Sequence, residues 1–125
     1  MSYDCFCDFD PAQVYSVRLP RARKEYRCEE CKGKIRVGER YERVFAVWDN
    51  WPSTIRTCER CRDLRVWVKN NVPCLCWSHG NADQDMADAI DEAVSRAHEE
   101  TVGLRFGFLR RKEARDRHNL EPVRK

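Results

Sequence analysis

The sequence predicts a small α+β domain built around a metal site, and three observations support this fold class. Eight cysteines occur in 125 residues, and four of them form two Cys-x-x-Cys pairs. The stretch between these pairs alternates in the manner of a β-hairpin, and the second pair opens a pattern with helical spacing. A chain of this length forms one domain, or one small domain with appendages, and a bound metal adds stability that so small a core lacks.

The compartment decides whether the cysteines are metal ligands or disulfides. The residues after Met1 show neither the basic nor the apolar region of a secretory signal peptide, and no stretch reaches the ~18 apolar residues of a membrane span. We therefore expect a cytoplasmic protein with no membrane partner, in which thiols stay reduced. Metal binding is then the better interpretation of the cysteines.

Cys28-x-x-Cys31 and Cys58-x-x-Cys61 form the strongest motif in the chain. Zn²⁺ takes four tetrahedral ligands, and two cysteines separated by two residues both reach one ion when the backbone turns sharply between them. Gly33 supplies a permissive backbone just after the first pair, and the second pair lies in the first turn of a helix, which favours the thiolate. The alternative is buried or redox-active thiols. Because the pair is duplicated, one structural zinc ion is the stronger prediction.

A second zinc site is predicted from two Cys-x-Cys motifs that flank the first site. Cys5 and Cys7 precede it, and Cys74 and Cys76 follow it. Together they would complete a four-cysteine site that closes the N-terminal arm against the segment after the helix, and His79 could replace one thiolate. The alternative is a set of reduced, partly buried thiols.

The elements around the first site predict a treble-clef finger, in which a knuckle, a β-hairpin and a helix hold one zinc ion. Residues 39–47 and 54–57 are rich in β-forming side chains, and we expect a loop of four to five residues between them. From Cys58 onward, apolar residues recur at helical spacing until Asn70. The predicted treble clef spans residues 24–71.

Three segments follow from this organisation. Residues 1–80 are predicted to form the zinc-binding domain, in which residues 1–17 read as an extended arm. Residues 81–103 predict an amphipathic acidic helix, with Met86 and Ile90 on its apolar stripe. Residues 104–125 form a basic C-terminal segment, whose start fits either a short strand or a helix.

Charge is segregated along the chain. The formal net charge is −3 over residues 1–17, +7 over 18–70, −6 over 71–103 and +5 over 104–125. These blocks indicate separate faces, an acidic helix near a basic partner, or ordinary solvated surface. Four thiolates on Zn²⁺ leave a charge of −2, so we expect part of the basic excess to neutralise the metal site. The candidates beside the ligands are Arg27, Lys32, Lys34, Arg60 and Arg62.

The finger resembles small zinc-finger proteins of temperate bacteriophages and prophages. The run that carries the resemblance is Arg23-Lys24-x-Tyr26-x-Cys28-x-x-Cys31-x-x-x-Ile35-x-x-Gly38-Glu39-x-Tyr41-x-Arg43, closing with Thr57-Cys58-x-x-Cys61. The resemblance covers about residues 5–80 and 104–111. It implies a phage or bacterial cytoplasmic setting, such as the cytoplasm of a bacterial host, and a treble-clef core. It implies no catalytic residues.

An enzyme is the weakest of the functional hypotheses. The knuckle also looks like that of HNH nucleases, which need histidines on the hairpin and helix to hold a catalytic metal. No histidine lies between Cys31 and Cys58, and the three histidines of the chain are His79, His98 and His118. The sequence also shows no open metal site, nucleophile–base pair or phosphate loop. We therefore predict a non-enzymatic protein.

Two binding functions remain. The first is binding of DNA, RNA or a nucleoprotein complex, in which Trp48 and Trp51 either stack on bases or, as we rather expect, pack in the core. The second is an adaptor or inhibitor that docks its acidic helix on a host protein complex, such as an RNA polymerase or a defence complex. No pattern specifies an oligomeric state. The candidate nucleic-acid contacts are Arg21, Arg23, Lys24, Arg62, Arg65 and Lys69.

Overall fold

The computed structural model describes residues 12–72, 74–96 and 103–120. Within them the fold is α+β, with strands in the first half and helices in the second. The elements are β1 Val14–Arg18, β2 Tyr26–Arg27, β3 Lys34–Ile35, β4 Tyr41–Trp48, β5 Trp51–Cys58, α1 Glu59–Asn71, α2 Ala82–Arg96 and α3 Leu104–Leu120. The predicted arm up to residue 11, with Cys5 and Cys7, lies outside the described residues. No helix of the described part is long and apolar enough to cross a membrane.

Strands β1, β4 and β5 form an antiparallel sheet in the order β1-β4-β5. The β4–β5 hairpin matches the prediction, but its loop has two residues rather than four or five, since Trp48 already pairs with Trp51. Asp49 and Asn50 make this tight turn at φ angles of 49° and 65°. A type I′ turn requires positive φ at both central positions, and Asp and Asn tolerate it better than other side chains.

The knuckle is a small hairpin of its own. Strands β2 and β3 pair Tyr26 with Ile35, and the Cys28 amide donates to the Gly33 carbonyl at 2.8 Å. The knuckle is joined to the sheet because the Glu29 amide donates to the Arg56 carbonyl at 2.8 Å. The first cysteine pair therefore lies beside the end of β5, where the second pair begins.

Helix α1 starts directly after β5 and carries one face of the main core. Cys58 is its N-cap, and its last residue is Asn71. The predicted acidic helix and the basic segment both pack against α1. The start of the basic segment is helical rather than extended. The buried side chains of this core are Leu64, Val68, Val72, Ala82, Met86, Ile90, Ala93, Leu104 and Phe108.

Close packing between α1 and α3 depends on a glycine. A Cβ atom on Gly107 would lie 2.8 Å from the ring of Trp67. That distance is shorter than real carbon contacts, so the absence of a side chain lets α3 approach the indole. Arg111, one turn later, places its guanidinium 4.2 Å from the centre of the same ring. This contact holds α3 over α1.

Candidate metal centre

The four cysteines of the first predicted site form one cluster. Cys28 and Cys31 come from the knuckle, Cys58 ends β5, and Cys61 lies in the first turn of α1. Their Sγ atoms all lie within 4.8 Å of one another. The Cys28–Cys61 and Cys31–Cys58 separations are 3.8 Å and 3.7 Å. Four Zn–S bonds of about 2.3 Å in a tetrahedron place the sulfurs about 3.8 Å apart. The cluster therefore fits one zinc ion.

Backbone amides point at the sulfurs. Cys28 Sγ accepts from the amides of Glu30 at 3.4 Å and Cys58 at 3.3 Å. Cys58 Sγ accepts from the Cys61 amide at 3.4 Å, which also caps α1. Hydrogen bonds to the charged form of a group favour that form, so these amides stabilise thiolates. The knuckle turn and the helix N-terminus supply them through local backbone geometry.

Without a cation the four sulfurs hold their protons unequally. Hydrogen bonds from Cys28, Cys58 and Cys61 lower the pKa of Cys31 far below that of an ordinary thiol. Hydrogen bonds with Cys28, Cys31 and Cys58, together with burial, raise the pKa of Cys61. A divalent metal removes this competition because it stabilises all four thiolates at once. The donor set therefore suits a metal better than four free thiols.

Arg115 brings a positive charge to the cluster from α3. Its side chain is 4% exposed, its Nη1 and Nη2 atoms each donate to Asp83 at 2.8 Å, and Nη1 lies 3.6 Å from Cys61 Sγ. Burial by itself would lower the pKa of Arg115, but the hydrogen bonds with Asp83 and the nearby Cys61 sulfur raise it. The guanidinium is therefore charged inside the fold, where it opposes the negative charge of the thiolates.

Among the basic residues next to the ligands in sequence, Arg60 interacts most directly with the cysteine cluster. Burial would lower its pKa, but the Glu39 carboxylate at 3.1 Å and the Cys58 sulfur raise it. Arg27 and Lys32 instead donate to backbone carbonyls of the knuckle, at 3.1 Å and 2.8 Å. The expectation that neighbours in sequence neutralise the site therefore missed Arg115. The helical spacing of Leu104, Phe108 and Arg115, which share one face of α3, was the signal that could have found it.

Glu30 joins the knuckle to α2. Its carboxylate oxygens accept from the Gly80 amide at 2.6 Å and from the Ala82 amide at 3.0 Å. The amides at a helix start have no partner within the helix, and negative charge there is favourable. A residue between two predicted zinc ligands thus caps the acidic helix and positions it beside the metal centre.

The second predicted site is described only in part. Cys74 and Cys76 place their Sγ atoms 3.5 Å apart, which is too long for a disulfide between them. Both make further contacts, the free thiols of the described residues do not include them, and two cysteines alone do not make a metal site. Cys5 and Cys7 lie outside the described residues. Within the described ranges His79 does not join this pair in a group of three ligands. Its Nε2 atom lies 3.0 Å from the Tyr15 hydroxyl instead.

The predicted nucleic-acid contacts divide by burial. Arg65 is only 9% exposed, pairs with buried Glu42, and lies 4.2 Å above the Trp77 ring. It cannot reach a phosphate without leaving the core, so we correct this expectation and remove Arg65 from the set. Arg62 is half-buried, 3.7 Å from Glu42. The exposed members of the set are Arg21, Arg23, Lys24 and Lys69.

The two tryptophans of the β4–β5 hairpin also differ in exposure. Trp48 is half-buried and packs edge-on against Tyr15, with ring centres 6.3 Å apart. Trp51 is 76% exposed, so it does not pack in the core, and Trp48 contacts Tyr15 outside the two buried clusters. An exposed indole at a hairpin tip is available to a partner.

Comparisons with models of known protein families, with curated proteins and with solved structures found no match for this chain.

Proposed function

We propose that this chain is a non-enzymatic zinc module of the treble-clef type. The cluster of Cys28, Cys31, Cys58 and Cys61 carries the proposal, because its spacing and its hydrogen bonds suit a tetrahedral thiolate site. Four protein ligands fill the coordination sphere of Zn²⁺ and leave no position for water or substrate. The ion then has a structural role: it joins the knuckle, the end of β5 and the start of α1.

Zinc content tests this proposal. Protein purified without added metal is expected to contain one zinc ion per chain from the first site, and a second if Cys5 and Cys7 join Cys74 and Cys76. The Cys74→Ser/Cys76→Ser variant should lose the second ion and keep the first. Elemental analysis by mass spectrometry measures both. Folded, soluble protein without zinc would contradict the proposal.

We propose further that the module binds nucleic acid. The support is the positive charge of the finger region, the exposed Arg23, Lys24 and Lys69, and the indole of Trp51 at the hairpin tip. Cations near phosphates release condensed counterions, and exposed aromatic rings stack on unpaired bases. Both interactions need accessible side chains, which these residues provide.

The salt dependence of affinity tests the proposed nucleic-acid binding. Affinity for fluorescent DNA or RNA probes should fall steeply as salt rises, because each neutralised phosphate contributes a log–log slope of about −0.9 on duplex DNA and about −0.7 on single strands. Fluorescence anisotropy between ~50 and ~200 mM salt measures the slope. If neither duplex nor single-stranded probes bind at the lowest salt concentration, the proposal is wrong.

The alternative is an adaptor that presents α2 to a protein partner. Asp88 and Glu92 are exposed on this helix. Asp83 is half-buried and pairs with Arg115, so it serves the fold. Charge reversal at Asp88 and Glu92 should then slow association with the partner, since charges at an interface act mainly on the on-rate. The same variant should leave probe binding intact if nucleic acid is the ligand.

A further inference from the structure

The three-stranded sheet has one face that none of the helices α1, α2 and α3 covers. Glu42 on β4 pairs with Arg65 of α1, and Val44 and Ala46 are fully buried on that same side. The residues between them point to the other side, which we call the open sheet face. By strand register it consists of Val14, Ser16 and Arg18 on β1, Arg43, Phe45 and Val47 on β4, and Pro52, Thr54 and Arg56 on β5.

Three arginines form a row across this face. Arg43 on the central strand pairs in register with Arg18 on one side and Arg56 on the other. Adjacent strands lie about 4.8 Å apart, so the row spans roughly 10 Å. None of the nine residues of the face is acidic. Within the described residues Arg18 and Arg43 make no ion pair or side-chain hydrogen bond. These two arginines therefore carry positive charge that the described part of the protein does not neutralise, while the Arg56 guanidinium lies 4.2 Å from the centre of the Tyr26 ring.

An aromatic ring lies beside this row. Phe45 is 44% exposed on the central strand, although a phenyl ring gains from burial. Ser16 and Thr54 flank it in register and supply hydroxyl groups. The arginine row and these three side chains line a shallow hollow of about 370 Å³. The hollow thus combines a stacking surface, hydroxyl donors and three cations.

We propose that the open sheet face binds single-stranded nucleic acid. Phe45 stacks on an unpaired base, and the arginine row contacts the phosphates on either side of it. Exposed aromatic rings within a basic surface are the usual means of holding single strands, because every base has a π face. This inference rests on the proposed nucleic-acid binding and names the surface and the form of the ligand.

Duplex nucleic acid fits this face poorly. The major groove of B-DNA admits an α-helix or a two-stranded ribbon, whereas Phe45 lies in the middle of three strands. Bases inside a duplex are already stacked and cannot present a face to the ring. A preference for single strands over the duplex of the same sequence is therefore expected.

Fluorescence anisotropy at ~50 mM salt, with single-stranded DNA, single-stranded RNA and duplex DNA of one sequence, tests the proposal. Phe45→Ala should weaken single-strand binding about 5- to 150-fold, which is the usual effect of removing one stacked base. Phe45→Leu, which keeps apolar bulk but not the ring, should weaken it as well. The matched control is Phe106→Ala on α3, where the ring is 75% exposed and far along the chain, and its affinity should be unchanged.

Charge reversal distinguishes phosphate contacts made by the arginine row from a general effect of the protein's net charge. Arg18→Glu/Arg43→Glu should lower the salt slope on single strands by about 1.4, at about 0.7 per phosphate contact. Arg110→Glu/Arg117→Glu changes the formal charge by the same amount at two exposed positions of α3, and should lower the slope much less. Thermal unfolding and zinc content check that each variant is folded.

The outcomes distinguish this inference from the function it rests on. Strong single-strand binding that neither Phe45 nor the arginine row affects would overturn the sheet-face assignment and leave nucleic-acid binding in place. Failure of every probe to bind would overturn both. Equal binding of duplex and single strands, or competition by polyglutamate as effective as by the oligonucleotide, would also rule against the proposal. The DNA and RNA arms show whether the 2′-hydroxyl contributes.

Discussion

Cys58→Ser is expected to unfold the finger. Cys58 is 1% exposed, lies at the junction of β5 and α1, caps the helix and shares the cluster with Cys28, Cys31 and Cys61. Zinc binding contributes roughly 10 kcal/mol or more of folding free energy in small zinc modules, while a whole domain is stable by only about 5–15 kcal/mol. Loss of one ligand therefore removes most of the net stability. Circular dichroism, thermal unfolding and zinc content measure the effect.

Two controls make this result specific to the metal. Val37→Ser changes a residue just after the knuckle that is 67% exposed, and it should leave both zinc content and the melting temperature nearly unchanged. A strong chelator added to the wild-type protein should reproduce the unfolding, and excess Zn²⁺ should reverse it. A Cys58→Ser protein that keeps the wild-type melting temperature would refute a structural metal at this site.

Arg115→Met is expected to have the second-largest effect, a loss of about 3 kcal/mol in the free energy of unfolding. The change removes two hydrogen bonds to Asp83, two to Asp116 and the contact with Cys61 Sγ, and it leaves Asp83 without its cation. The Asp83 side chain is 31% exposed and gains water on losing its partner, so the lower end of the range for a buried pair applies. Denaturant unfolding measures the change.

The same variant should weaken zinc binding. A charged partner of a metal ligand typically contributes 10- to 100-fold in affinity, and Arg115 offsets the negative charge of the four thiolates. Competition with a chromophoric chelator measures this. Arg117→Met is the matched control, because its side chain is 71% exposed on the same helix and should change stability by less than about 0.5 kcal/mol. Equal results for the two variants would show that Arg115 has no special role.

The metal ligands and most of the local secondary structure could be predicted from the sequence. Two cysteines separated by two residues reach one ion through a single turn, so Cys28, Cys31, Cys58 and Cys61 could be assigned without any long-range information. The structure confirms that these four side chains meet in one cluster. The β4–β5 hairpin and helices α1 and α2 follow from side-chain periodicity, which depends only on neighbours along the chain, whereas the start of α3 fitted either a strand or a helix. The loop of this hairpin was expected to be longer because Trp51 and Pro52 were assigned to it, whereas they pair with Trp48 and Val47 in the sheet.

Only the tertiary structure decided which charges serve the fold and which face outward. Arg65 and Arg115 belong to basic stretches, yet they lie buried because Glu42 and Asp83 come close from distant segments. Arg18 and Arg43 occur in a similar context, yet the pairing of β1 with β4 places them together on an open surface. The sequence had indicated only an extended arm over residues 1–17. Burial of a charge depends on its partner in space, and strand register depends on long-range hydrogen bonds. A count of charges along the chain shows neither the spatial partner of a charge nor the register of a strand.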